Sequence, residues 1–322
     1  MRSFDVRIPV PDMPEAELAV SIHAPDDPEP GAPLVVGFPG GGYAREYYNL
    51  QLAGHAGYSQ AEHHTAAGHV VVVIDHLGVG DSSPADLTSL TFESLAAANA
   101  GVTAEVISRL RARELDPALP ALKPVRVIGV GQSLGGAVLT VHQANHPTFD
   151  AVAFLGWSAL QTILPTPPDK AAAEYVAPER GSAVAPEFVA GAARSAKWGD
   201  FGYAFHYDDV PDDIVGADIG PNAPIREEPI PPWASATTPT CAVTALSPGV
   251  VAAEAGRIAT PVFIGSGERD VVPDPRAEPS AYRSSSDITV AVITRMAHMH
   301  NFASTRRQLW DRLTAWYSIP AH

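Results

Sequence analysis

One serine in this sequence sits in surroundings suited to nucleophilic chemistry. Gly131-Gln132-Ser133-Leu134-Gly135-Gly136 follows the apolar run Val125 to Val130 and precedes Ala137-Val138-Leu139-Thr140-Val141-His142. This is G-x-S-x-G between a strand and a helix. The spacing has a steric reason. A sharp turn pushes the hydroxyl out at the top of a sheet, and Gly131 and Gly135 keep the adjoining strand and helix from clashing with it. The helix that begins after Ser133 aims free N–H groups and its positive end at the same point, where attack on a carbonyl would build negative charge. A serine hydroxyl is a weak nucleophile at neutral pH, so such chemistry also needs a base, usually histidine. Two groups of histidines stand out: His298 and His300, and His63, His64 and His69. The second group reads as surface or packing. His-x-His could suggest a metal, but no Asp, Glu or Cys cluster lies nearby in sequence, and no metal is expected. Gly129-Val130-Gly131 opens like a dinucleotide fingerprint, but its third glycine would fall at Leu134, so that reading fails.

The elements that must position Ser133 follow from hydrophobic patterning. Glu17 to His23 alternates like a strand. Pro33 to Phe38, His69 to Ile74, Val125 to Val130, Ala151 to Leu155, Pro261 to Gly265 and Ile288 to Thr294 are short, apolar and rich in β-branched residues, as strands buried on both faces of a parallel sheet are. Between them, Leu95 to Leu115 carries Leu95, Ala98, Val102, Val106 and Leu110 on one helical face, and Ser304 to Tyr317 carries Leu309, Leu313 and Trp316. Alternation of strand and helix predicts the α/β class: a mostly parallel, open sheet flanked by helices. From Trp157 to Arg257 the rhythm breaks into Pro, Ala and Asp with scattered aromatics. An insertion between strands emerges at the sheet edge where ligands bind, so it reads as a cap. The expected division is a core of residues 1–156 and 258–322 and a cap of 157–257.

On these residues the chain resembles the α/β-hydrolase superfamily, in its capped serine esterase or lactonase branch. The resemblance covers most of the chain apart from the cap. It implies an oxyanion loop after an early strand, matched by Pro39-Gly40-Gly41-Gly42-Tyr43, with Pro39 where the family usually has His. The N–H groups of Leu134 and Gly41, or Gly42 in its place, are the implied oxyanion donors. Asp75-His76-Leu77-Gly78-Val79-Gly80-Asp81-Ser82 matches the family's D-x-x-G-x-G-x-S and supports the fold, with a structural role for His76. The implied acid is Asp270, in Gly267-Glu268-Arg269-Asp270, with Asp274 and Glu268 as competitors. The implied base is His298, with His300 as the alternative. The chain order Ser133, Asp270, His298 is that of the superfamily. The dehalogenase and epoxide-hydrolase branches normally place Asp where Ser133 stands and are discounted.

Composition excludes other classes. The chain has 322 residues, 46% apolar and 18% charged, enough to bury a large core. A formal net charge of −15 makes nucleic acid an improbable partner and argues against anionic membranes. The one cysteine, Cys241, allows no intrachain disulfide and reads as a small buried or surface thiol. Met1 to Arg7 lacks a leader's apolar run and no stretch is long enough to span a bilayer, so a cytoplasmic protein is expected. Tyr43 and Trp157 are candidate pocket residues, and Trp198, Phe201, Tyr203, Phe205 and Trp233 candidate cap aromatics. His206 and the run Asp208, Asp209, Asp212 and Asp213 are expected to face solvent. The expectation is a serine hydrolase of a hydrophobic ester or lactone acting through an acyl-enzyme, without cofactor. An acyltransferase, a carbon–carbon hydrolase or a silent ligand-binding protein are the alternatives. A homo-oligomer fits the sequence, though nothing in it shows one.

Overall fold

The structure is a computed structural model, described here for residues 1–170, 176–185, 200–219 and 229–318. Eight strands form one sheet in the order β1-β2-β4-β3-β5-β6-β7-β8: β1 (Arg2–Val10), β2 (Met13–Ala24), β3 (Leu34–Phe38), β4 (Val70–Ile74), β5 (Val127–Gln132), β6 (Ala151–Leu155), β7 (Val262–Arg269) and β8 (Ile288–Ala297). β1 and β2 pair antiparallel, β2 joins β4 antiparallel, and the remaining pairs are parallel. β1 is not foreseen from the sequence, although Phe4, Val6, Ile8 and Val10 alternate with exposed neighbours. Its Pro9 is tolerated because this is an edge strand.

The central strands are apolar throughout because each has two faces to bury. Val70, Val72 and Ile74 enter one core, Val71 and Val73 the other; Leu34, Val36 and Phe38 oppose Val35 in the same way. Helices cover both faces: α1 (Gln60–Ala66), α2 (Phe92–Ala112), α3 (Leu134–Asn145), α4 (Phe201–Phe205), α5 (Asp212–Ile219), α6 (Ala252–Ala255) and α7 (Arg306–Tyr317). α2 begins at a capping box in which Thr91 and Ser94 satisfy each other's N–H groups, and it buries Leu95, Ala98, Val102, Val106 and Leu110. His63 and His64 lie on α1, and His64 packs inside, bonded to Thr314.

The span 157–257 does not stand apart from the core as a whole. Trp157 and Ala159 at one end and Ala245, Val251 and Ala255 at the other belong to the apolar core beside α3. Only the middle carries Val210, Ile214 and Trp233 over the opposite face, against Tyr43, Met299 and Phe302. Apolar residues at the roots of an insertion have the parent core within reach, so they fill it. Asp208, Asp209, Asp212 and Asp213 are exposed, but His206 is not: it is buried, with Nε2 donating to Asp218 at 2.8 Å. The Asp218 carboxylate, five residues beyond the acidic run, supplies the partner that makes burial of the ring tolerable. Trp198 lies outside the described residues. No helix among the described residues is long and apolar enough to cross a membrane. Burial pushes the Cys241 thiol up to about 12, so it stays protonated.

Several histidines are enclosed in the core as neutral rings. Burial lowers His23 and His76 to about 4 and His142 to about 3, against an ordinary 6.5. In the unfolded chain they regain the ordinary value, so between about pH 6.5 and 4 the unfolded state binds more protons. Their contribution to stability is complete above 6.5 and is lost as pH falls, at up to about 1.4 kcal/mol per unit for each ring. Thermal melts should show Tm level above about pH 7 and falling steadily toward pH 5. A Tm unchanged across that interval would contradict the neutral, buried assignment.

Candidate active site

Ser133 stands between the end of β5 and the start of α3, at φ 53° and ψ −119°. Such a backbone is costly for any side chain other than hydrogen, and it persists because its surroundings enforce it. Ser133 N–H donates to Leu155 O on β6 at 2.9 Å. A methyl group at Gly131 would overlap the Gly135 carbonyl, and one at Gly135 the Phe38 carbonyl, so strand, helix and β3 approach at contact distance here. No residue larger than glycine closes this turn. Ser133 keeps part of its surface open, while Leu134 and Gly135 behind it are buried.

Three loops converge on the hydroxyl. After β8, His298 presents Nε2 to Ser133 Oγ at 2.9 Å. Its Nδ1 lies 2.8 Å from Asp270 Oδ1, after β7. The carboxylate can only accept, so Nδ1 carries the proton and Nε2 is free to receive the serine's. Asp270 also accepts from Gly267 N–H at Oδ2, 2.8 Å, and from Val271 N–H at Oδ1, 2.7 Å. Burial alone would raise this carboxyl, but the rings of His300 and His298 and their hydrogen bonds hold it well below the usual carboxylate range. His300 is not at the serine; its Nε2 meets Asp270 Oδ2 at 2.6 Å. Of the competing acids, Glu268, exposed near the end of β7, accepts from Arg295 N–H, and Asp274, exposed on the loop that follows, accepts from Arg276 N–H.

The third loop is Pro39-Gly40-Gly41-Gly42. A methyl at Gly40 would come 3.1 Å from the Ser133 Cβ, and one at Gly41 3.6 Å from Leu134 Cδ2, so this backbone passes directly beside Ser133. Gly42 takes a positive φ of 76°. Among the described residues no backbone carbonyl accepts from Gly41 or Leu134 N–H. His76 holds the loop from below: Nε2–H donates to Pro39 O at 3.1 Å, and Nδ1 accepts from Asn99 at 3.0 Å.

Tyr43 and Trp157 are packed rather than open. Tyr43 is 1% exposed and its hydroxyl donates to Asp218 at 2.7 Å, while Trp157 is 2% exposed and lies against Gly136. Trp233 also donates to Asp218, at 3.0 Å. The ring beside the site belongs to Phe205, 5.4 Å from His298 and edge-on to Phe201. Three positioning features were not read from the sequence. Gly156, at φ 55°, forms a floor whose added methyl would meet His298 Nδ1 at 2.9 Å. Gln132 Nε2 donates to His298 O at 3.3 Å. Finally, His298 N–H donates to Ala204 O at 3.1 Å and Met299 N–H to Phe205 O at 2.9 Å, tying α4 to the histidine loop. Of these, Gly156 could have been sought as a glycine directly after a buried strand. Among the described residues, no three His, Cys, Asp or Glu side chains are disposed to hold a metal ion.

The profile of the alpha/beta hydrolase family matches residues 34–311. An esterase from Exiguobacterium antarcticum is similar over 98% of this chain and 99% of its own, with a TM-score of 0.63 and 16% identity. A thermophilic esterase from Thermogutta terrifontis is similar over 97% of each chain, with a TM-score of 0.60 and 14% identity. A bromoperoxidase from Bacillus anthracis is similar over 98% of this chain and 99% of its own, with a TM-score of 0.58 and 17% identity. At these identities the similarity shows the fold and leaves chemistry to the site. No curated protein matches the sequence significantly.

Proposed function

The chain belongs to the alpha/beta hydrolase family, and from that premise we propose that it is a serine hydrolase of carboxylic esters or lactones, with Ser133 as nucleophile, His298 as base and Asp270 as acid. The observation that carries the reading is the unbroken hydrogen-bonded line from Ser133 Oγ through both nitrogens of His298 to Asp270, at 2.9 and 2.8 Å. His298 Nε2 takes the hydroxyl proton as Oγ bonds to the carbonyl carbon. The oxyanion faces the N–H groups of Leu134 and Gly41, each such donor contributing about 10²–10³ in rate. Asp270 stabilises the imidazolium without taking its proton. The carbon–oxygen bond to the alcohol then breaks, and His298 returns the proton to the departing alkoxide oxygen. Water, deprotonated by the same nitrogen, hydrolyses the ester on Ser133 and regenerates the hydroxyl. In a lactone the alcohol stays tethered to the acyl group, so water must outrun re-closure.

The part-open Ser133 favours water as acceptor, and Phe205 beside His298, with Phe201 packed on it, favours an apolar substrate. Two of the similar solved structures are esterases, which agrees with this choice within the family. The test is a hydrolysis screen of p-nitrophenyl esters of rising acyl length alongside several lactones, with and without an added alcohol. Saturable hydrolysis of at least one apolar ester or lactone is expected. Product appearing only as the transferred ester would make the protein an acyltransferase, and no turnover of any substrate would count against a hydrolase.

A further inference from the structure

Asp270 is held by two imidazoles, and the mechanism above uses only one. His300 Nε2 lies 2.6 Å from Asp270 Oδ2, the oxygen that His298 does not meet, and the residue is 1% exposed. Among the described residues its Nδ1 is buried without a hydrogen-bond partner. A doubly protonated His300 would therefore carry an unpaired N–H into the interior, a penalty that the Nε2–H tautomer avoids. The ring sits in a short 3-10 turn, His300–Phe302, pinned by Asn301: its N–H donates to Tyr47 Oη at 3.2 Å and its side chain to Tyr47 O at 3.0 Å.

Taking Ser133, His298 and Asp270 as the working triad, we propose that His300 is a positioning residue: a neutral second donor that fixes the Asp270 carboxylate in the plane His298 needs and moderates its pull on the His298 imidazolium. The carboxylate has four acceptor positions, and four donors fill them: Gly267 N–H, Val271 N–H and the two rings. With every lone pair engaged, Asp270 cannot rotate, and the charge it offers His298 is shared. The other titratable or charged groups on the surrounding elements are directed elsewhere. Tyr47 hydroxyl faces Asn301, His206 bonds Asp218, Arg269 lies over Tyr203 and pairs with Asp208, Glu268 accepts from Arg295 N–H, and Arg306 donates to Gly57 O. The state of His300 is thus set by Asp270 and by its own unpartnered nitrogen.

The consequence is a change in pH dependence that loss of packing alone would not produce. Removing one neutral donor leaves Asp270 more basic, which stabilises the His298 imidazolium and moves the acid limb of kcat/KM upward. His300→Ala should lose about tenfold in kcat, the size of one hydrogen bond to a charged group, with KM nearly unchanged. The limb should rise by about half a unit. His300→Gln, whose amide N–H stands close to where Nε2 does, should restore both. A wild-type limb in His300→Ala with full kcat overturns the proposal, as does loss of all activity in His300→Ala while His298→Ala still turns over. Should His300→Ala not fold, two-bond proton–nitrogen spectra of the wild-type protein decide: Nε2–H with bare Nδ1 is expected near neutral pH, and an Nδ1–H or doubly protonated His300 refutes it. Phosphonate labelling of Ser133 in the same preparations separates the two levels. Absent labelling refutes the triad reading, whereas intact labelling with an unmoved limb refutes only the role of His300.

Discussion

Ser133→Ala is expected to take up no activated phosphonate and to lower kcat on the best ester by about 10⁶-fold, the loss seen when a member of a nucleophile–base unit is removed. The wild-type protein should gain one adduct by intact mass. The reason is the isolation of this hydroxyl: it is the group 2.9 Å from His298 Nε2, on a turn that exposes it while its neighbours stay buried. Alanine keeps the Cβ that the turn already accommodates at φ 53°, so the variant should fold and melt close to the parent. The remaining hydrolysis, about 10³–10⁴ over water, would come from the oxyanion donors and binding. An adduct persisting in Ser133→Ala, or none on the wild type, would remove Ser133 from the chemistry.

Asp270→Asn should lower kcat by about 10⁴-fold while leaving the fold largely intact, because the substitution is nearly isosteric and the failure lies in proton placement. Each oxygen of Asp270 accepts one backbone N–H and one imidazole N–H. An asparagine must turn its NH₂ toward one of these pairs. Facing Gly267 and His300, it sets donors against each other in the interior; facing Val271 and His298, it also forces His298 to accept at Nδ1, putting the proton on Nε2, toward Ser133. Either arrangement disrupts a site held together by hydrogen bonds to a charge, each of which is worth about 1.5–3 kcal/mol. Steady-state kinetics with melting curves on the same samples would check this. A near-normal kcat would show that the acid lies elsewhere.

The turn bearing Ser133 is legible because its glycines are sterically compelled: nothing larger fits beside the Phe38 and Gly135 carbonyls. The inner strands are legible for a similar reason, since two buried faces leave only apolar residues. The limits are equally physical. β1 escapes because an edge strand buries one face, and Asp5, Arg7 and Pro9 on the other disguise it. His298 and His300 lie two residues apart on one tight turn, and no spacing rule says which ring reaches Ser133 and which only Asp270. Aromatic type does not fix direction: Tyr43 and Trp157 went inward, whereas Phe205, read only as one of several cap aromatics, lies against His298. His206 shows the converse, a polar residue in an acidic stretch drawn inside by Asp218, twelve residues on.

The His298 loop is anchored to the segment above it by main-chain atoms, His298 and Met299 N–H to Ala204 and Phe205 carbonyls. Peptide groups are the same whatever side chains they carry. The rings at Phe201 and Phe205 can therefore be exchanged without breaking either of these two bonds to the His298 loop.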